Sequence, residues 1–484
     1  MTSIKKSFLW SALEQIGPKV LQFSVAIVLA RVLEPEDFGL VGMLVLFTSL
    51  AQIFADSGLS ASLIQKENIT EDDETSVFYI NIGMGVGVAL LLCVISPLVA
   101  AFYDQPQLIA LLCLHSLSVV ITSFTIVHNA LIIRAMEFHK TAWIGVASTL
   151  GSGIVGLGMA FTGFGVWSLI GLVLAQNVTQ AVLLWSVNDW RPKGQLKREN
   201  LRSIWSFSSY LLFCQLIGVA NKNIHSVIIG KFYSLENLGF YNRANNLRML
   251  PANTMAGMIN KVAFPVFSRC QGDKGLLLRR IRKLVRTSLV FSAAGMALLA
   301  VLADQLVPFL MTDKWLPAVP LLRILCYAAA LVPVSALYLM ALQAQGYSKL
   351  NFRLESIKMV VSVCVVSTFC WFGVTAIAWG VVLMTVIAYF MNAFYQVKLL
   401  GYSWKLQMFD IMPTLILCAI AAVLTLPLVN LEMENAVMIM SARCVVFICT
   451  LGIGTFMLRN VFFGDIWLLI ESMLRKSKPT SKGI

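Results

Sequence analysis

The sequence predicts an all-α integral membrane protein of fourteen transmembrane helices. They form two six-helix lobes related by a pseudo-twofold along the membrane normal, with two more helices at the C-terminal end. Three observations predict this. The chain of 484 residues is 58% hydrophobic and 13% charged, with mean hydropathy +0.80; soluble domains carry about 25% charged residues, so hydrocarbon must face much of this surface. Apolar runs of about 20 residues, the length that spans a bilayer, recur between short polar breaks. And LARVLEPEDFG at residues 29–39 returns as GKFYSLENLGF at residues 230–240.

Taken in order, the expected spans are 8–30, 37–64, 77–101, 107–133, 142–161 and 166–187 in the first lobe. A polar stretch, NDWRPKGQLKRENLRS at 188–203, separates them from 205–230, 238–267, 285–303, 316–344, 354–371 and 374–397 in the second. The spans 409–429 and 436–459 come last. The domains are therefore 1–190, a linker at 191–204, 205–400 and 401–484. The first run follows Lys5 and Lys6 as a signal peptide would, but Glu14 and Lys19 interrupt it and no small-residue cleavage site follows, so it is read as a retained helix. Pro35 near the start of the second helix, with Glu36 and Asp37 at its positive end, is what a tight turn between helices requires.

Basic residues set the orientation. With the N-terminus inside, the inner loops and both tails hold most of the 37 lysines and arginines, whereas the outer loops hold Arg31, Lys231 and Lys314. This is the positive-inside pattern. It places both termini in the cytoplasm, and it accounts for the net charge of +13 without a nucleic-acid partner.

The echo is a repeat. Glu36, Phe38 and Gly39 match Glu236, Leu238 and Gly239, and Arg31 matches Lys231. Farther on, Phe164–Gly165–Val166 matches Phe372–Gly373–Val374. Duplication of six helices explains both offsets. An even number keeps the two copies in the same orientation, so their axis runs along the membrane normal and a cleft lies between them.

Charged residues inside spans must snorkel, pair or line water, because one at the centre of a lipid-facing helix costs about 2.5–3.5 kcal/mol. Polar side chains share a face of the first helix (Ser11, Glu14, Gln15, Lys19, Gln22) and of the seventh (Gln215, Lys222, His225, Ser226). The eighth carries Arg243, Asn246, Asn253, Thr254, Asn260 and Lys261, and the tenth Arg323, Tyr327, Tyr338 and Gln345. Arg248 lies off the Arg243 face, and Lys358 and Arg443 lie close enough to span ends to snorkel. Cations outnumber the carboxylates Glu14, Asp56 and Glu355, so the expected cavity is positive and selects an anion. Lys19, Lys222, Arg243, Lys261 and Arg323 are its candidate binding residues; Gln15, Gln22, Gln215, His225, Asn246, Asn253, Asn260 and Tyr327 are its candidate polar lining.

Glu14 and Asp56 are candidates for coupling to H⁺ or Na⁺, with ion pairing to a neighbour as the alternative. On the cytoplasmic side, Glu71, Asp72, Asp73 and Glu74 could meet Arg279, Arg280, Arg282 and Lys283 as a gate. The alternatives are two solvated faces, or a basic amphipathic helix on anionic lipid headgroups. No other cofactor or metal is implied: there is no GxxxxGK[ST] loop, and His115, His128, His139 and His225 lack ligand spacing. Nine of the ten cysteines, Cys93, Cys113, Cys214, Cys326, Cys364, Cys370, Cys418, Cys444 and Cys449, sit in apolar runs without a CxxC and read as buried thiols.

The phrases LARVLEPEDFG (29–39), FADSGLSASLIQ (54–65), FPVFSR (264–269) and DKWLPAVPLLRIL (313–325) resemble the Wzx-type polysaccharide flippases. These form the polysaccharide-transport branch of the MATE-like superfamily, and the likeness is nearest to the colanic-acid exporter type. The resemblance implies a non-enzymatic, two-lobed alternating-access transporter of the bacterial inner membrane. Its substrate would be an oligosaccharide repeat unit on undecaprenyl diphosphate, with membrane lipids and polysaccharide polymerase and export machinery as partners. In such flippases cavity arginines and lysines carry the function, a role that Lys19, Lys222, Arg243, Lys261 and Arg323 would inherit. The alternatives are a cation-coupled small-solute antiporter of the multidrug type, which a basic lumen disfavours, and a membrane glycosyltransferase on the same carrier, for which no loop is long enough.

Overall fold

Every apolar run expected to span the membrane is helical. The computed structural model describes residues 2–56, 59–65, 69–194, 198–270, 272–429 and 436–459. Its helices up to the linker are α1 (Thr2–Val32), α2 (Pro35–Asp56), α3 (Leu59–Gln65), α4 (Glu71–Tyr103), α5 (Gln107–Ser123), α6 (Ile126–Arg134), α7 (Phe138–Phe161) and α8 (Trp167–Val187). After it come α9 (Arg198–Phe232), α10 (Leu235–Arg269), α11 (Lys274–Met311), α12 (Ala318–Ala344), α13 (Ser348–Phe369), α14 (Val374–Leu400), α15 (Trp404–Leu424) and α16 (Ala436–Met457). No strand occurs among the described residues. Among the described residues, ten helices are long and apolar enough to cross a membrane, or eleven if the bent pair α5–α6 is one span. The stripe-bearing α1, α9 and α10 are not in that set, so length and composition do not reach the expected fourteen. On α4, Leu90, Leu91, Val94 and Leu98 form an exposed apolar face suited to acyl chains.

One expected span is bent, and a second, 37–64, is described as α2 and α3 on either side of residues 57–58, which lie outside the described residues. The run 107–133 bends by 40° between α5 and α6. There the side chains of Thr122, Ser123 and Thr125 donate to the carbonyls of Ser118, Val119 and Thr122 at 2.7–2.9 Å, competing with the helix ladder. Two boundaries also move. α9 begins at Arg198, inside the expected linker, and α11 runs from Lys274 to Met311, so the basic stretch 276–286 is its first part rather than a separate surface helix.

The repeat is visible in the backbone. α1 yields to α2, and α9 to α10, across two residues in each case. The last bonds before these turns match: Leu33 N donates to Leu29 O at 2.8 Å and Tyr233 N to Ile229 O at 2.9 Å. Gly165 and Gly373, two and one residues ahead of the helices they introduce, have φ of +54° and +100°, which L side chains rarely adopt.

The chain divides into two compact units, Met1–Asn242 and Arg243–Ile484. In the first, Leu59, Leu63, Val77, Phe78, Val127 and Ala130 form a buried cluster, with Trp185 and Trp190 against it. The segment after α8 folds back here: Trp190 meets the Phe78 ring edge-on at 5.5 Å, and Gly194 N donates to Thr75 Oγ1 at 3.0 Å. In the second, α15 is tied to α12 and α14 by a buried polar network. The Gln407 amide oxygen accepts from the Tyr338 and Tyr389 hydroxyls at 3.2 and 3.1 Å, and its nitrogen donates to Tyr402 O at 2.8 Å. The Tyr402 hydroxyl, whose pKa burial pushes well above its ordinary value, donates to Asp410 at 2.6 Å.

Candidate functional site

Two helix beginnings meet where the repeats echo each other. A Cβ placed on Gly39 would stand 2.1 Å from Leu235 O, and one on Gly239 would stand 2.0 Å from Pro35 O. Residues 39 and 239 are repeat mates, as are 35 and 235, so each half makes the other's contact: the signature of a local twofold. One turn on, a Cβ on Gly42 would lie 1.9 Å from Asn242 Nδ2, again between mates, and Asn242 Oδ1 accepts from Ser226 Oγ at 2.9 Å. The opening phrase thus codes for a close backbone approach of α2 and α10, which only glycine permits.

Lys19 and Gln22 on α1, and Gln215 and Lys222 on α9, are all exposed. Gln22 and Lys222 occupy equivalent repeat positions. Exposed lysines part-way along membrane helices require water or an anion at their ammonium groups. His225 is half-buried and stacks on Tyr241 at 6.5 Å between ring centres. The side chains of Glu14, Gln15, Asn253, Asn260 and Lys261 lie outside the described residues. Asp56 accepts from Ser60 N at 3.3 Å and Ser60 Oγ at 3.0 Å.

In the second unit the stripe residues separate. Arg243 is 7% exposed; its Nε approaches the Met311 sulfur at 3.3 Å and its guanidinium lies over the Trp315 ring at 5.9 Å. Arg248 donates to Asn245 Oδ1 at 2.8 and 3.0 Å and to Leu325 O at 3.3 Å, while Asn246 is exposed. Arg323 and Tyr327 line a cavity of about 590 Å³ inside this unit, where Arg323 is ion-paired to Asp304. Tyr338, expected on the same stripe, is instead fully buried in the Gln407 network.

Lys358 and Arg443 do not snorkel. Lys358 is 5% exposed and bonds Glu355 at 2.7 Å, one helical turn away. Arg443 is 2% exposed and donates to Val301 O at 3.0 Å and Gln305 Oε1 at 2.7 Å. Nor are the described cysteines uniformly buried: all are free thiols, but Cys364 and Cys449 are exposed.

The proposed gate residues have local duties. Asp73 forms a capping box with Thr70 at the start of α4, with bonds of 3.3 and 3.1 Å, and Glu71, Asp72 and Glu74 share that positive helix end. Arg282 bonds both oxygens of Asp410 at 2.7 and 2.9 Å, and Arg286 Nε reaches the same carboxylate at 2.7 Å. Arg279 and Arg280 are exposed beside Lys283 around a basic concavity of about 400 Å³. Sequence reasoning missed Asp410, although a carboxylate at the head of an apolar run is itself a signal. It missed Asp304 because the span was ended at residue 303.

The family model for polysaccharide biosynthesis proteins matches residues 28–320. The chain belongs to the polysaccharide biosynthesis protein family. Among relatives, it is 27% identical over 409 residues to an uncharacterized membrane protein in the cps region of Klebsiella pneumoniae, covering 81% of this chain and 82% of that one. It is 25% identical over 407 residues to the succinoglycan biosynthesis transport protein ExoT of Rhizobium meliloti, covering 84% and 80%. Among solved structures, the lipid II flippase MurJ in an inward closed conformation superposes with a TM-score of 0.77 at 13% identity, covering 94% of this chain and 99% of that one. An inward-facing multidrug resistance MATE transporter of the MOP superfamily gives 0.67 at 13%, covering 79% and 96%. At that identity the likeness is one of fold. This family member therefore has the MATE-like transporter fold and is a multi-pass membrane protein.

Proposed function

We propose that this polysaccharide biosynthesis protein is a flippase. It moves an undecaprenyl-diphosphate-linked oligosaccharide repeat unit from the cytoplasmic to the periplasmic leaflet of a bacterial inner membrane, by alternating access and without enzymatic chemistry. The observation that carries this reading is membership of the polysaccharide biosynthesis family on a fold shared with a lipid II flippase. The exposed lysines support it: Lys19 and Lys222 sit on the first helix of each repeat, where a diphosphate supplies the counter-charge that an ammonium in a membrane needs. In this reading both termini are cytoplasmic, the α2–α10 crossing closes the outer end, and Glu71–Glu74 with Arg279–Lys283 act as the gate at the inner end. Asp56, already engaged with Ser60, leaves Glu14 as the stronger candidate for H⁺ or Na⁺ coupling.

Deleting the gene in its native host tests the reading. Lipid-linked repeat units should accumulate with their sugars facing the cytoplasm while surface polysaccharide is lost, and the wild-type chain should reverse both. Normal leaflet distribution of the lipid-linked units in the deletion strain, or loss of organic-cation export in their place, would favour the antiporter alternative.

A further inference from the structure

Small side chains open a cavity of about 590 Å³ between α11, α12, α15 and α16. Ala293, Ala297 and Ala300 of α11, Ala330 of α12, and Ala419 and Ala422 of α15 leave the space. Its body is apolar, and its volume is that of a small-molecule site. One end is not apolar: Asp304, Arg323 and Arg443 gather where α11 and α15 finish and α12 and α16 begin.

Among the described residues the charges at that end do not balance. Asp304 is ion-paired to Arg323. Arg443 is 2% exposed, and its one engaged nitrogen, Nη1, donates to Val301 O and Gln305 Oε1. Both of those partners are neutral. Its Nε and Nη2 are buried without a hydrogen-bond partner among the described residues. A guanidinium does not give up its proton, and leaving a buried charge uncompensated is strongly unfavourable. Nε and Nη2 form the side-on edge by which arginine holds a phosphate with two parallel bonds. The protein has anchored the other side of the guanidinium and left this buried edge unpartnered among the described residues.

We propose that the cavity is a binding site for a phosphate-bearing lipid: the unpartnered edge of Arg443 turns toward the cavity it lines and holds the phosphate with Arg323 beside it, and one hydrocarbon chain lies along the alanines. The site belongs to the two C-terminal helices and the two helices they pack on, and it uses neither Lys19 nor Lys222. It is thus a lipid site additional to the path proposed for the transported unit. In the orientation proposed above it opens in the outer-facing half of the membrane.

Binding to the purified full-length protein in zwitterionic nanodiscs tests this, with radiolabelled decyl phosphate as probe. Decanol and inorganic phosphate serve as the two half-ligands. Decyl phosphate should bind saturably, with an affinity at least tenfold above either half-ligand. Arg443→Gln should weaken it at least tenfold, and Arg443→Lys should weaken it less. Ala419→Phe, which fills the cavity without changing charge, should weaken it comparably, and decides the matter if Arg443→Gln does not fold. Equal binding of inorganic phosphate would make this a free-anion site, equal binding of decanol a plain apolar groove, and unchanged affinity in Ala419→Phe would put the probe elsewhere. Each of these results overturns the proposal.

Discussion

Adding one methyl group at Gly39 should force the starts of α2 and α10 apart. The new carbon of Gly39→Ala would lie 2.1 Å from Leu235 O and 2.8 Å from Leu235 C, where real Cβ atoms essentially never come within 3.0 Å. The obstacle is backbone, so no rotamer change relieves it, and the helices must separate by about 0.9 Å. Overpacking of this kind costs about 1–3 kcal/mol, which is roughly a 5- to 150-fold shift toward the separated arrangement. Leu238 reports the change, since it is fully buried and sits beside Gly42 and Gly230 at this crossing. In a chain whose native cysteines are replaced, Leu238→Cys should react slowly with a membrane-impermeant thiol reagent, and Gly39→Ala should speed the reaction within that range. Gly239→Ala should do the same. The pair together should give less than the product of the two effects, because one separation relieves both clashes. An unchanged labelling rate in Gly39→Ala, or fully multiplicative effects, would refute a shared twofold contact.

Two further outcomes follow from the second unit. The Asp410 side chain is fully buried and receives Arg282, Arg286 and Tyr402. Asp410→Asn should destabilise the protein by about 3–5 kcal/mol, the cost of breaking a buried pair from one side, seen as a lower thermal midpoint in detergent; a midpoint within 1–2 °C of wild type contradicts this. Gly373 has φ +100° with open space around it, so Gly373→Ala pays in backbone strain alone, about 1–3 kcal/mol. Its midpoint should fall while a neutral change at Gly295, which is helical with nothing near its Cβ, leaves it unmoved.

Much of this architecture was legible because the bilayer imposes it. Apolar runs, the skew of lysine and arginine, and LARVLEPEDFG set against GKFYSLENLGF led to the helices and to the turns of both repeats. The α5–α6 bend was not legible from hydropathy, since Thr122, Ser123 and Thr125 bend a helix by bonding its carbonyls while remaining tolerable in an apolar run. The candidate site was read less completely. Helical phase places Arg323, Tyr327 and Tyr338 on one face, but phase carries no information about neighbouring helices. Tyr327 faces the cavity, whereas Tyr338 is taken up by Gln407 some seventy residues onward. Distance from a span end likewise suggested snorkelling for Arg443, and packing against Val301 and Gln305 decided otherwise. Gly39 and Gly239 read from the sequence as repeat markers; their backbone contact with Leu235 and Pro35 depends on packing that sequence periodicity does not encode.

In the function proposed above, lysines on equivalent helices carry a lipid diphosphate across the membrane. The most direct measurement reconstitutes the purified protein in liposomes holding a fluorescent undecaprenyl-diphosphate oligosaccharide and follows its leaflet exchange by quenching from outside. The wild-type chain should exchange the whole labelled pool; Lys19→Gln combined with Lys222→Gln should exchange it at least tenfold more slowly while keeping its thermal midpoint. Exchange at the wild-type rate by the doubly substituted protein, or none by the wild type, would contradict the account.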